Sequence, residues 1–396
     1  MEYISLYKAY NKFDKDKYDA LYKQRFNSEA TIKLFLKIHD HTSFLFFPNE
    51  LNCLLTSIRT IDKRIEKIFS ELPDVAKKQY EKKSMIDEIV FNNSIEGVIS
   101  TRKDINDIIE EVSNKKQDRL SGIINKYILL KDKNSIKLQD SKDIRTLYDE
   151  MLYEEIKQSN INNLPDGVLF RKDSVSVTTS SGKVIHTGML PEEKIISNLD
   201  AAINLLNDEK LDALIRVALF HYIFSYIHPF YDGNGRINRF ISSYILSKNY
   251  TPIIGYRLSL TIKENITDYY DAFKYTNDIR NKGDITYFVI EFLKILLKAY
   301  EKTELYALEK LKTLTLYSNT IDQMIENQKL KNILTILMQV EMFSEFGLSV
   351  YELSKIAKES QNTVRNRIRK LDEKTLIKEI KIGKRIYYSA NLNNIK

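Results

Sequence analysis

Cysteine is nearly absent. The single residue, Cys53, excludes an internal disulfide and any thiolate-rich zinc site. Tryptophan is missing, and six prolines and 11 glycines in 396 residues are too few to punctuate a sandwich of short strands. Long helices are expected instead. No apolar run reaches the ~20 residues of a membrane-crossing helix. The longest apolar window, Val217 to Tyr231, is interrupted by His221 and His228. The amino terminus, MEYISLYKAYNKFDKDK, has no apolar signal segment, which predicts a cytoplasmic protein without a membrane partner.

What is present is the mix of a soluble globular chain, 43% hydrophobic and 29% charged, and long enough for two or three domains. A net charge of +7 favours anionic partners, nucleotides or nucleic acid, without choosing between them. There is no internal repeat or low-complexity tract. Residues 1–75 read as helical and irregular by turns, with a break at Phe46-Phe47-Pro48-Asn49. A helix is expected over Ser84 to Glu96, stopped by Gly97. Between Gly167 and Leu190, Val175 and Val177 alternate with polar residues, the chain turns at Ser181-Gly182, and Val184 and Ile185 resume the pattern. That is a β-hairpin, the one clear example before the carboxyl terminus. Leu211 to Ile227 reads as a strongly apolar helix, and Ile237, Phe240, Ile241, Tyr244 and Ile245 mark a second one. Helix continues over 286–330.

Between those two core helices lies HPFYDGNGRINR, residues 228–239. Two of the scarce glycines, Gly233 and Gly235, flank Asn234 where a helix begins. Free N–H groups at a helix start bind anions, and a missing Cβ lets phosphate approach the backbone. Arg236 and Arg239, three residues apart, share a face and can converge on one polyanion. Asp232 supplies a carboxylate, enough for a magnesium ion that arrives on nucleotide phosphates. His228 is the group that can exchange a proton near neutral pH. These parts suit phosphoryl or nucleotidyl transfer. The pattern G-x-x-x-x-G-K-[ST] occurs nowhere, so the site is not of the Walker type.

The stretch resembles the signature of the Fic (Fido) family, H-x-F-x-[DE]-G-N-G-R-x-x-R, at every fixed position, and the resemblance runs from about residue 85 to 300. It implies a mainly α fold: a Fic-type helical bundle with a β-hairpin flap. It also implies transfer of AMP from ATP, with Mg2+, to a Ser, Thr or Tyr hydroxyl of a protein target. Carried over by position, His228 would deprotonate the hydroxyl and Asp232 would hold the metal. Gly233, Gly235 and the Asn234 side chain would cradle the α-phosphate, with Arg236 at the β- and Arg239 at the γ-phosphate. Phe230 would anchor the loop. Val175, Ser176, Val177 and Thr178 would form the flap that pairs with the target by strand addition. DYYDAFKYTN resembles the adenine-side segment, making Tyr269, Tyr270 and Asn277 nucleotide contacts.

Glu96 stands at the carboxyl end of its helix, where the dipole disfavours a carboxylate and calls for a cationic partner. NNSIEG is similar to the family's inhibitory helix, [ST]-x-x-x-E-[GN], except that Asn92 stands in the Ser/Thr position. The resemblance implies that Glu96 pairs with Arg239 and blocks the γ-phosphate. Of the other histidines, His221 is expected in the core, and His39 and His41 on surface loops.

The carboxyl-terminal stretch from about 328 reads helix, turn, helix, hairpin, with Leu353, Ile356, Val364, Ile368 and Leu371 as a small core and Ser360 or Asn362 as cap. It resembles a winged helix-turn-helix domain. That resemblance would place Gln361, Asn362, Thr363, Arg365, Asn366 and Arg369 on a recognition helix, and Lys381, Lys384 and Arg385 in a wing turning at Gly383-Lys384. The expected organisation is an N-terminal helical region at 1–84 and a Fic domain at 85–300, with its inhibitory helix near 84–97. A helical linker at 301–327 and a winged helix at 328–396 follow. The leading reading is a protein adenylyltransferase autoinhibited by Glu96. The alternatives are a DNA-binding regulator with a nucleotide-sensing or self-modifying Fic domain, and an enzyme that removes AMP. A homodimer is left open.

Overall fold

Thirteen of the 15 residues in the helix Ala213–Ile227 are buried, so it is apolar on every side and lies inside the molecule. The rest of its unit is built around it. The computed structural model describes residues 3–111, 119–132, 136–178, 184–382 and 385–395. The chain forms two compact units, Met1–Asp62 with Ile86–Tyr300, and Lys63–Met85 with Glu301–Lys396.

In order, the elements are α1 (Leu6–Lys12), α2 (Lys15–Phe26), β1 (Thr31–Ile38), β2 (His41–Phe46), α3 (Asn49–Glu71), α4 (Asp74–Ile95), α5 (Arg102–Glu111), α6 (Ser121–Ile128) and α7 (Ser141–Ser159). Then come β3 (Ser176–Thr178), β4 (Val184–Thr187), α8 (Glu192–Asn207), α9 (Ala213–Ile227), α10 (Asn234–Asn249), α11 (Leu258–Glu264) and α12 (Ile266–Asn277). The last are α13 (Thr286–Met324), α14 (Gln328–Phe343), α15 (Val350–Ala357), α16 (Gln361–Asp372), β5 (Ile377–Ile382) and β6 (Arg385–Ala390).

Asp212 starts α9, its side chain accepting from the Leu214 N–H at 2.8 Å. The helix stops at His228, whose φ of 54° is left-handed, and Pro229 forbids continuation. On one side Tyr222 and His221 meet the rings of Phe273, Phe288 and Phe292 from α12 and α13. The neighbouring α10 packs Phe240 edge-on against Tyr127 of α6. Each large apolar side chain buried here contributes roughly 1.5–3 kcal/mol.

Several sequence expectations change. The helix read as Ser84–Glu96 begins ten residues earlier, at Asp74, because Pro73 permits a first helical turn directly behind it. Residues 1–84 are not wholly helical. Leu34, Leu36 and Ile38 alternate inward while Lys33, Phe35 and Lys37 face out, and β1 pairs antiparallel with β2. The 167–190 hairpin is therefore the second one. The tip of the first, His39-Asp40, has no glycine or asparagine to signal a turn, although His39 adopts a left-handed φ of 53°. His39 and His41 sit on that hairpin, with His39 Nε2 2.8 Å from the Asn277 carbonyl. Residues 301–324 are the continuation of α13, with no break at 300. The unit boundaries also differ from the four expected segments, since they fall inside α3, α4 and α13.

In the second unit Leu353, Val364 and Leu371 are fully or nearly fully buried, with Ile368 at 6% exposure and Ile356 half-buried. Ser349 closes a capping box with Glu352 at the start of α15, and Ser360 caps α16. β5 and β6 pair antiparallel from Ile377↔Ala390 to Ile382↔Arg385, and Leu348 bridges to Tyr388. The turns expected at Ser181-Gly182 and at Gly383-Lys384, with Lys384 itself, lie outside the described residues. Among the described residues no helix is long and apolar enough to cross a membrane.

The amino-terminal hairpin joins the first unit through polar contacts. Phe44 N–H donates to Gly283, Ile285 N–H donates to Phe44, and buried Asp284 accepts from Tyr3 Oη at 2.5 Å and Arg25 Nη1 at 3.4 Å. Breaking such a pair strands a buried charge at a cost of about 3–5 kcal/mol. Asp284→Ala should therefore lower the midpoint of urea denaturation clearly; an unchanged midpoint would show that the pair adds nothing.

Candidate active site

The loop from His228 to Gly233 is shaped by its own side chains. Asn234 folds back so that its Oδ1 accepts from the Phe230 N–H at 2.9 Å and its Nδ2 donates to the Phe230 carbonyl at 2.7 Å. Phe230 is fully buried and stacked on Tyr148, with ring centroids 4.0 Å apart. Gly233, at φ 86°, is the N-cap of α10, and a Cβ there would strike Leu152 at 2.7 Å. At Gly235 a Cβ would collide with the carboxylate of Glu96 and lie 2.9 Å from Arg239 Nη1. The glycine backbone at the start of α10 is thus approached by an anion, and that anion is the protein's own.

Both arginines of the loop are buried. Arg236 Nη1 donates to Glu155 Oε1 of α7 at 2.7 Å, and its Nη2 lies 3.6 Å from Asp232 Oδ1. Arg239 is addressed by α4. Its Nε donates to Asn92 Oδ1 at 2.7 Å, and its Nη2 donates to the Asn92 carbonyl at 3.1 Å and to Glu96 Oε1 at 2.7 Å. The Asn92 amide also donates to Tyr127 Oη at 3.0 Å and to the Arg236 carbonyl at 3.3 Å. An amide reaches all of these partners at once, as a hydroxyl does not.

The end of α4 is held by a Schellman turn. Val98 N–H donates to Asn93 and Gly97 N–H to Ser94, with Gly97 at φ 75°. One turn before Asn92, Glu88 is fully buried and accepts from the Ser259 N–H at 2.8 Å and from Ser243 Oγ at 3.3 Å. Glu88, Asn92 and Glu96 follow at four-residue intervals, so one face of α4 meets α10.

Burial pushes Glu88 up to about 7, against the pull of its Ser259 bonds and Arg239. Burial would also raise Glu96, but the charge and hydrogen bond of Arg239, with Arg236 and His228 beyond, hold it below the usual carboxylate value. His228 is pushed down to about 4, first by burial and then by His186; its hydrogen bond to the Ser225 backbone works the other way. It is therefore neutral near pH 7 and able to accept a proton. His221 is a core histidine, held between Ser242 Oγ at 2.9 Å and Tyr269 Oη at 2.7 Å and pushed to about 3 by burial.

Of the residues singled out in the sequence, His228, Asp232, Gly233, Gly235, Arg236, Arg239 and Glu96 come together around the start of α10. Tyr270, 49% exposed, lies close enough to feel the charges of Glu96 and Arg239. Val175 touches the same edge as His228, since a Cβ on Gly188 would lie 3.1 Å from each. Ser176 and Val177 pair with Thr187 and His186 in the β3–β4 hairpin, and Thr178 with Val184. Three of the side chains have partners within the protein. The Asn234 amide bonds to the Phe230 backbone through both its oxygen and its nitrogen. Tyr269 is buried with its hydroxyl on His221, and Asn277 Oδ1 accepts from Tyr222 Oη at 2.6 Å. Glu155, Glu88 and Arg171 were missed. Glu155 left a signal, an acidic residue on the face of α7 that also buries Tyr148, Met151 and Leu152.

The arrangement is a neutral histidine beside a glycine-walled helix start with two buried arginines. Residues 139–246 match the model of the Fic/DOC family. The chain is 29% identical over 241 residues to a protein adenylyltransferase Fic of Nematostella vectensis, covering 58% of this chain and 51% of that protein. It is 26% identical over 219 residues to one of Culex quinquefasciatus, covering 54% and 41%. The chain thus spans about half or less of these relatives' length. A solved Fic family protein from Desulfovibrio desulfuricans G20 superposes with a TM-score of 0.49 at 19% identity, covering 85% of this chain and 96% of that one.

The histidine environments set a pH dependence. His221, His228 and His186 all titrate below 6.5 when folded, so the unfolded chain binds more protons and stability falls as pH drops from 6.5. Glu88, raised to about 7, works in the opposite sense in the same window. His228→Ala removes one destabilising titration and should flatten the fall between pH 6.5 and about 5 by roughly 1.4 kcal/mol per pH unit. Urea midpoints at both pH values check this, and an unchanged slope would contradict the depressed histidine.

Proposed function

We propose that this chain is a protein adenylyltransferase, held inactive by Glu96. The observation that supports it most is the carboxylate of Glu96 lying on Gly235 and Arg239, in the place a nucleotide phosphate oxygen would take. In the reaction, a target hydroxyl gives its proton to the His228 imidazole as its oxygen bonds to the α-phosphorus of ATP. The bond from that phosphorus to the α,β-bridging oxygen breaks, and diphosphate leaves. The backbone at Gly233 and Gly235 cradles the α-phosphate. Arg236, held by Glu155, faces the β-phosphate, and Arg239 becomes free for the γ-phosphate once Glu96 leaves.

Asp232 fits a magnesium ion arriving with ATP. Its carboxylate is 39% exposed, and only Oδ1 is engaged, by Gly233 and Arg236. Among the described residues no group of three or more His, Cys, Asp or Glu could hold a metal alone, as suits a metal that brings phosphate ligands of its own. Such an ion would neutralise charge on the departing diphosphate. The β3–β4 hairpin, with Val175 beside His228, would receive a target strand.

A second reading concerns the carboxyl-terminal module. Gln361, Asn362, Arg365, Asn366 and Arg369 form one exposed stripe along α16, and the residues buried behind them are Val364, Ile368 and Leu371. This supports a winged helix that places α16 in a DNA groove.

Glu96→Gly should raise adenylylation of target or of the chain itself by about tenfold or more, and His228→Ala in that background should abolish it. Mass spectrometry after incubation with ATP and magnesium is the measurement. No gain in Glu96→Gly removes the autoinhibition. Loss of AMP release from a modified protein in the same variant would favour removal over addition. For the second reading, the chain should shift duplex DNA on a gel at low salt, and Arg365→Ala with Arg369→Ala should weaken the shift; absence of any shift counts against it.

A further inference from the structure

Arg171 plays no part in the reaction above, yet it is fully buried, in company with Arg236 and Arg239 among the largest enclosed side chains. Those two have carboxylate partners. Every hydrogen bond of the Arg171 guanidinium among the described residues goes to a main-chain carbonyl. Nε donates to His228 at 2.9 Å, Nη1 to Asp173 at 2.7 Å, and Nη2 to Met189 at 2.8 Å and Ile227 at 3.4 Å. Ile227 and His228 are the end of α9. Asp173 precedes β3 and Met189 follows β4, so they are the two roots of the hairpin.

One planar fork therefore ties the helix that carries the base to both legs of the flap. A helix carboxyl terminus welcomes a cation, and a rigid guanidinium can aim several donors at once, as a lysine does not. The surroundings are arranged for it. Glu192 accepts from the N–H groups of Val168, Leu169 and Phe170, at 3.0, 2.7 and 2.8 Å, and so fixes the approach to Arg171. Gly188 leaves room, because a Cβ there would collide with the guanidinium. His228 itself is left-handed at φ 54° and ψ 63°, a conformation that a residue with a side chain keeps only where its neighbours enforce it. Burying a cation without a carboxylate partner is costly, and a stable loop closure does not require it.

We infer that Arg171 is a positioning residue that sets the flap, and hence the target hydroxyl, at a fixed distance from His228. Its effect on rate rests on the transferase reading above; the clamp itself does not. A base and hydroxyl displaced by about 1 Å lose on the order of 100-fold in rate. On the transferase reading the phosphates meet α10, to which the Arg171 guanidinium makes no hydrogen bond among the described residues, so ATP binding should be spared.

The test compares full-length Glu96→Gly with the same chain carrying Arg171→Met, Arg171→Lys or Gly188→Ala. Arg171→Met is expected to lower kcat for transfer by about 100-fold while ATP affinity stays within about twofold, and Arg171→Lys to fall between. Gly188→Ala keeps the arginine but pushes its guanidinium aside; it should lower kcat too, and should add nothing to Arg171→Met in the double variant. Hydrogen exchange is the second readout. Residues 173–178 and 184–190 should lose protection in Arg171→Met while residues 234–246 keep theirs. Transfer within about threefold of the parent, parallel loss of ATP affinity, or unchanged exchange in the hairpin would each overturn the inference. If the Glu96→Gly parent transfers nothing, the transferase reading fails and the exchange comparison alone decides the clamp.

Discussion

A guanidinium with 2% exposure must have acceptors, and Arg239 finds them in the side chain and carbonyl of Asn92 and in the carboxylate of Glu96. Only the guanidinium is enclosed, since the Glu96 side chain keeps 32% exposure, and losing that carboxylate would leave the buried cation one acceptor short. The glycine-walled start of α10 lies beside it, and that is where an anion is best received. The same contact completes the packing of α4 against α10.

The other side of the loop has a complementary logic. Two buried cations, Arg239 and Arg171, differ in what they bind: the first meets a carboxylate and the Asn92 side chain and carbonyl, the second only main-chain carbonyls, that of His228 among them. The His228 imidazole is kept neutral chiefly by burial. His228 and Val175 both border Gly188 at the hairpin root, and the carboxylate of Glu96 borders Gly235 at the start of α10.

Much of this was legible in the chain itself. Residues 228–239 stand out in the chain because scarce glycines, paired arginines and a histidine occur together at a helix junction, a local pattern that needs no partner to be read. Glu96 was visible for a similar reason, as a carboxylate at the wrong end of a helix. The hairpin at 31–46 was also written in alternating residues, but its turn lacked the usual glycine and it was passed over. Asn92 was legible only as a departure from the Ser/Thr of the inhibitory pattern; its hold on Arg239, on Tyr127 and on the Arg236 carbonyl was not.

What the sequence determines alone is what short-range chemistry determines: which stretches favour helix, and where glycines, arginines and a histidine cluster at a helix junction. Tertiary structure decided the rest, because it depends on which distant segments meet. Glu155 and Arg236 are 81 residues apart, and Glu88 and Ser259 are 171. The assignment of Asn234 to Phe230, of Tyr269 to His221 and of Arg171 to four carbonyls is likewise a matter of burial. A polar atom removed from water takes the nearest partner the packing allows, and no spacing along the chain states in advance which partner that is.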